Sequence, residues 1–279
     1  MDTSSQNRDV LGVADRIGLI AGGGQFPLIF ARKARAKGYG VYAAAYVNEA
    51  DPRLAEIVDA VEWLHLGQVK RLIRFLKSHD VRTTVMMGAI RKTRMFTDVR
   101  PDMKAIALIA GMKHTHDDAL LRAFAKTLEK EGIQVASATF LLPELLAAEG
   151  CWTRRRPNRS ERADIDVGLN LAREIGRLDI GQCVVVGGGA VLAVEAVEGT
   201  DAAIRRGAGL GDGDAVVVKI CKPNQDERFD VPAIGAGTIQ TMIEADATAL
   251  AVEAGRAVVF DKEEMIRLAN KAGIAIVAV

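Results

Sequence analysis

The sequence predicts an α/β protein built in two parts, a parallel doubly wound sheet followed by an α+β half. Three observations carry that reading. Short apolar runs alternate with helical spacing from residue 15 to residue 140, the rhythm of βαβ units. The first run, Ile17-Gly18-Leu19-Ile20-Ala21, stops at Gly22-Gly23-Gly24, and a helix follows at once. Later, beyond an arginine-rich break, two apolar runs flank Gly187-Gly188-Gly189 as the strands of a hairpin do. The boundaries expected from this are a disordered leader over 1–14, a first domain over 15–140, a linker over 141–163 and a second domain over 164–279.

Each element has a local cause. Pro27 suits the first turn of a helix from Phe26 to Lys37, where a missing N–H costs nothing, and Gly38 ends it. Val41 to Ala45 is the next strand. Leu72 to Ser78 closes a helix, and Thr84 to Gly88 is again a strand. Asp117 to Glu131 is a helix with Leu120, Leu121, Phe124 and Leu128 at apolar spacing. Asp117 and Asp118 complement its dipole; a Mg²⁺ site is the rival reading of this pair. Ile133 to Ala136 is a strand. Thr153 to Arg162 carries five arginines and no aliphatic residue, which marks a linker or exposed loop. Helices are then expected over 165–178, 201–206, 240–254 and 262–271. Strands are expected over 183–186, 191–197, 215–218, 257–260 and 274–279.

Composition narrows the function. The chain has 279 residues, 49% hydrophobic and 26% charged, with a net charge of +1. That supplies a core and no basic field, so nucleic acid is not an expected partner. Cys151, Cys183 and Cys221 form neither a disulfide framework nor a zinc pattern, which fits reduced thiols in a cytoplasmic protein. Cys221 abuts a charged cluster, but no His stands near it in sequence. Residues 1–16 are polar and no apolar run is long enough to span a bilayer, so neither a signal peptide nor a membrane span is expected. His114 and His116 read as surface histidines.

The densest chemistry is Lys222-Pro223-Asn224-Gln225-Asp226-Glu227-Arg228-Phe229-Asp230-Val231-Pro232, where the apolar run Ala215 to Val218 gives out. Lys222 and Arg228 suit phosphate oxygens, Asp226 and Asp230 suit Mg²⁺, and Gln225 suits a water. A solvated loop of internal ion pairs explains the same residues. Gly22-Gly23-Gly24 allows phosphate contact, or is only a tight turn. As a dinucleotide fingerprint it is incomplete, because Pro27 stands where the third glycine belongs and Glu49 fits the ribose position only loosely. Glu195 sits in an apolar run, so it needs solvent or a partner. Thr200 reads as the N-cap of the next helix, with Asp201 beside it.

Four segments, taken in order, resemble the LpxI family of UDP-2,3-diacylglucosamine pyrophosphatases of lipid A biosynthesis. They are Gly18 to Pro27, His116 to Arg122, Ala193 to Asp201, and Lys222 to Pro232 with Ile234-Gly235. The resemblance covers nearly the whole chain from Arg16 onward. It implies a Rossmann-like N-terminal domain, a catalytic C-terminal domain particular to the family, and ligand in the cleft between them. It implies Mg²⁺-dependent hydrolysis, with Mn²⁺ as the alternative ion, of UDP-2,3-diacylglucosamine to UMP and 2,3-diacylglucosamine 1-phosphate (lipid X).

The family's essential aspartate maps to Asp226, the acid of Lys-Pro-x-Gln-Asp, with Asp230 its competitor and Gln225 beside them. The metal set expected is Asp226, Asp230 and Glu195. The substrate set expected is Gly22, Gly23, Gly24, Gln25, Phe26, Thr200, Asp201, Lys222 and Arg228. Candidate walls for the acyl chains are Ile106, Leu108, Ile109 and Met112, and the run Phe140 to Pro143. The arginines of 154–162 suit anionic headgroups or a solvated linker. A cytoplasmic protein peripheral to the inner membrane is expected, with a homodimer as the base-rate oligomer. The rivals are an NAD(P)-dependent oxidoreductase and a non-catalytic nucleotide-sugar or lipid binder.

Overall fold

The computed structural model describes residues 16–90, 99–110, 117–137, 139–140, 142–223, 226, 228–229 and 231–279, with backbone only at 117–119. The chain divides into two compact units, Met1–Leu142 with Asp226–Asp230, and Pro143–Gln225 with Val231–Val279.

In the first unit the elements are β1 (Arg16–Ala21), α1 (Phe26–Ala36), β2 (Gly40–Tyr46), β3 (Ala60–Leu64), α2 (Val69–Ser78), β4 (Thr83–Met87), α3 (Met103–Ala110), α4 (Asp117–Lys130) and β5 (Gln134–Ala136). The five strands run parallel in the order β3-β2-β1-β4-β5. That order reverses direction at β1, the switch point of a doubly wound sheet. After Arg16, every residue of β1 is buried, as in a strand covered on both faces. Ile20, Ala44 and Met86 meet Leu72, Ile73 and Leu76 of α2 in one core, which Phe124 and Leu128 of α4 extend.

The second unit holds β6 (Gly150–Cys151), α5 (Arg159–Arg177), β7 (Cys183–Gly187), β8 (Ala190–Val194), α6 (Thr200–Ala208), β9 (Ala215–Lys219), β10 (Ala233–Ile234), α7 (Ala236–Glu244), β11 (Ala247–Val252), β12 (Val258–Val259), α8 (Lys262–Ala272) and β13 (Ala275–Ala278). Six strands form a mixed sheet in the order β6-β13-β11-β9-β7-β8. β9, β11 and β13 are parallel, whereas β7 is antiparallel to both β8 and β9. Alternation sorts the side chains. Val184, Val186, Val216 and Val218 pack under Ile165, Leu169 and Ala172 of α5. Cys183, Val185 and Val217 face Ile204, Ile239, Met242 and Met265 on the other side. The hairpin turn has Gly188 at φ 58 and Gly189 at φ 78, and both amides donate to the buried carboxylate of Asp164 on α5.

Three expectations are corrected. The helix expected over 240–254 ends at Glu244; Asp246 turns the chain at φ 56, and Ala247–Val252 is a strand. The run lies buried between β9 and β13, and that tertiary setting makes it a strand. The helix expected from Ile165 begins at Arg159, because Asn158 and Glu161 form a capping box. Thr200 is not an N-cap: Gly199 holds that position at φ 85, and Thr200 is the first helical residue.

Candidate functional site

The glycine turn follows β1 at the switch point of the first sheet. Gly22 N–H donates to Met87 O (2.8 Å) and Gly23 N–H to Ala89 O (2.8 Å), while Ala89 N–H returns to Gly23 O (3.1 Å). Two of the three glycine amides are therefore engaged, one by the last residue of β4 and one by the loop after it. A Cβ on Gly22 would lie 2.7 Å from Ala89 O, and one on Gly88 would lie 2.5 Å from Gly23 O. Close backbone approach dictates these two glycines. Gly24 differs: its φ is +94 and nothing lies within 4 Å of its missing Cβ. Gln25 begins α1 without a side-chain cap, and Pro27 stands in the first turn as expected. The open end of α1 is the part of this turn that suits an anion.

Asp226 and Arg228 are brought together. The guanidinium donates from Nε to Asp226 Oδ1 (2.9 Å) and from Nη2 to Oδ2 (2.8 Å), the two-pronged geometry of a strong pair. Its Nη1 donates to Glu129 Oε1 (2.9 Å) on α4. Phe229 packs against the core of the first unit, and Arg228 lies 5.0 Å above its ring. Asp226 is only 15% exposed. The hydrogen bonds from Arg228 outweigh its burial and hold its carboxyl below the usual range.

In the second unit Glu195 lies just beyond β8 and is buried. Thr200 donates its hydroxyl to Oε1 (2.9 Å), and Gln182 N–H donates to Oε2 (3.2 Å). Its partner problem is thus solved by the start of α6, where Asp201 occupies the first turn. The side-chain Oε1 of Gln182 is buried with no hydrogen-bond partner. Lys222 Nζ donates to Asp179 Oδ1 (2.7 Å). Cys221 is buried, and its N–H donates to Glu253.

Several residues of this chemistry escaped the sequence reading. Glu129 is one, an acid inside a helical pattern 99 positions from its arginine. Lys219 is another: it is buried at the end of β9 and donates to Ala233 O (2.9 Å). Glu253 is a third, buried after β11 with Arg173 and Arg256 each 3.6 Å away. Only Lys219 and Glu253 left a signal, a charge directly after a buried run. Gln225, Asp230, His114, His116 and Met112 lie outside the described residues. Among the described residues no group of three His, Cys, Asp or Glu side chains could hold a metal. A cleft of about 760 Å³ in the second unit, lined by Ala208, Asp212, Ile243, Asp246, Thr248 and Ile274, contains none of the expected site residues.

Fold and site define a class: a two-unit α/β protein with a glycine turn at a sheet switch point and an Asp–Arg–Glu cluster on the first unit. The LpxI N-terminal domain profile matches residues 16–145 and the LpxI C-terminal domain profile matches residues 148–277. The chain belongs to the LpxI family. It is 35% identical over 275 residues to the UDP-2,3-diacylglucosamine pyrophosphatase LpxI of Caulobacter vibrioides, a match spanning 95% of this chain and 97% of that protein. Among solved structures, the biotin carboxylase domain of the Hydrogenobacter thermophilus 2-oxoglutarate carboxylase aligns over 62% of this chain and 35% of its own, at 12% identity and a TM-score of 0.27. A likeness that low carries no argument.

Proposed function

We propose that this protein hydrolyses the diphosphate of UDP-2,3-diacylglucosamine, releasing UMP and 2,3-diacylglucosamine 1-phosphate for lipid A biosynthesis. The observation that carries this reading is the near full-length identity to the Caulobacter pyrophosphatase, with both family domains in order. Diphosphate hydrolysis needs charge neutralisation and an aligned water more than a covalent device. The Asp226–Arg228 pair supports the first need: a diphosphate competes with Asp226 for the guanidinium, and the carboxylate it displaces becomes available. On the first unit the open end of α1, with Gly24, Gln25 and Phe26, adds contacts to phosphate; Lys222 is the cation of the second unit suited to a phosphate oxygen. Thr200 and Asp201 lie at the N-terminus of α6, which Glu195 anchors.

In this reading Asp226, with Asp230 as its competitor, acts on the attacking water, which Gln225 orients. Magnesium, when bound, neutralises diphosphate charge. It favours one or two carboxylates completed by phosphate oxygens and water, so Asp226 is the described residue that would hold it. The glycine turn gives no support to a nicotinamide cofactor, since two of its amides are engaged.

The test is UMP release from UDP-2,3-diacylglucosamine by the wild type and by Asp226→Asn, with magnesium and with chelator. Expected is a fall in turnover of at least about a hundredfold in the variant, with KM within a few-fold. Near-normal turnover by the variant rejects the role of Asp226. No UMP from the wild type rejects the reaction.

A further inference from the structure

The helix α3 presents an outward face without a single polar side chain. Its exposed positions are Met103, Ile106, Ala107, Ile109 and Ala110. Met103 is 76% exposed, Ile106 48% and Ile109 49%, and Val99 just before the helix is 39% exposed. Water-facing helix positions ordinarily carry charge, so this face is inverted.

The inversion is not a loosely docked helix showing its core side. Ala105 is buried, and Leu108 packs against the core of the first unit. The carboxylate of Asp102 accepts from the N–H groups of Lys104 (3.0 Å) and Ala105 (3.0 Å) on α3 and of Lys70 (2.5 Å) on α2. Lys104 pairs with Glu131, which also holds Lys77 (2.5 Å). Rotation of α3 would break all of these bonds. The inward face is satisfied and the outward face is left apolar.

Charge identifies what covers it. Over residues 91–116 the sequence carries six Lys or Arg (Arg91, Lys92, Arg94, Arg100, Lys104, Lys113) against two acids (Asp98, Asp102), a local +4 in a chain of net +1. We propose that the outward face of α3 docks this protein on an anionic bilayer, the apolar side chains entering the headgroup boundary and cations such as Arg100 meeting lipid phosphates. A second copy is the poorer occupant. A stable interface takes roughly 20–30 residues a side, far more than this two-turn helix offers, and two copies of a segment of net +4 would repel. The lipid nature of the substrate, and so the purpose of the surface, rests on the proposed function; the surface itself rests on α3.

The test floats the full-length protein with vesicles of equal parts phosphatidylcholine and phosphatidylglycerol, and with pure phosphatidylcholine. Expected is binding to the anionic vesicles that weakens with salt. Met103→Glu with Ile106→Gln should lower it roughly tenfold or more, with an unchanged circular dichroism spectrum. Arg100→Gln, which leaves the apolar face whole, should lower it about fivefold. Three results overturn the proposal: no vesicle binding by the wild type, equal binding by the folded variants, or a wild-type dimer that the α3 variant alone dissociates without vesicles. UMP release from detergent-dispersed substrate is read in parallel. Its failure in the wild type would reject the hydrolase while leaving the vesicle result standing.

Discussion

Arg228 holds three acceptors at once, two oxygens of Asp226 and one of Glu129. Glu129 fixes the arginine from a helix, so the fork reaches Asp226 in one orientation. The hydrogen bonds from Arg228 are the main reason that the Asp226 carboxyl sits below its usual range. A depressed folded-state value gives a definite sign. The pair stabilises the fold fully above the ordinary aspartate range, and that contribution is lost as pH falls through the lowered value. In Arg228→Gln the carboxyl should titrate upward, out of its depressed position, because the hydrogen bonds that lower it are gone and its partial burial remains. Carboxyl-carbon resonances followed through an acid titration check this, and an unmoved Asp226 value refutes it. The charge of both residues was legible in sequence. Their closure on each other was not, because a two-residue spacing in a loop fixes no side-chain direction, and Glu129 comes from another part of the chain.

At the level of the element, the entry to α5 is fixed by partners close in sequence. Asn158 accepts from Glu161 N–H (2.9 Å), and Glu161 accepts from Asn158 N–H (2.7 Å). Glu161 is buried. Burial pushes its carboxyl up, but the hydrogen bonds from Arg155 and Asn158 prevail, and it is held low. Asn158→Ala should cost about 1 kcal/mol and lower the thermal midpoint by about 2–4 °C, measured by calorimetry near neutral pH. No shift would mean that Glu161 alone carries the cap. The Asn-x-x-Glu spacing was present in the sequence, yet five arginines made the segment read as a linker. The same limit explains the missed strand β11. Its composition suits a helix, and only its neighbours in the sheet make it a strand.

For the whole molecule, the sequence made the alternation of the first sheet and the hairpin of the second readable, since both follow from short-range periodicity. It could not show that residues 226–230 group with the first unit although strands of the second stand on either side in the chain. Sequence order alone carries no sign of such an excursion. The core of the second unit offers a probe of its integrity. Burial pushes the Cys183 thiol up to about 12, and the side chain is inaccessible within the sheet. In native buffer a thiol reagent should modify the half-buried Cys151 first and reach Cys183 only when the unit opens. Mass spectrometry of timed samples checks the order; early labelling of Cys183 would contradict the packed core.

The contact between the glycine turn and the loop after β4 has a consequence for how the protein can evolve. Gly22 and Gly88 are each barred from a side chain by backbone atoms of the other's loop. Backbone does not mutate, so no second substitution can make room for the first. The two positions behave as one inherited character, open to loss but not to exchange. Gly24 alone of the turn's three glycines has open space around a Cβ, and there a positive φ still favours glycine.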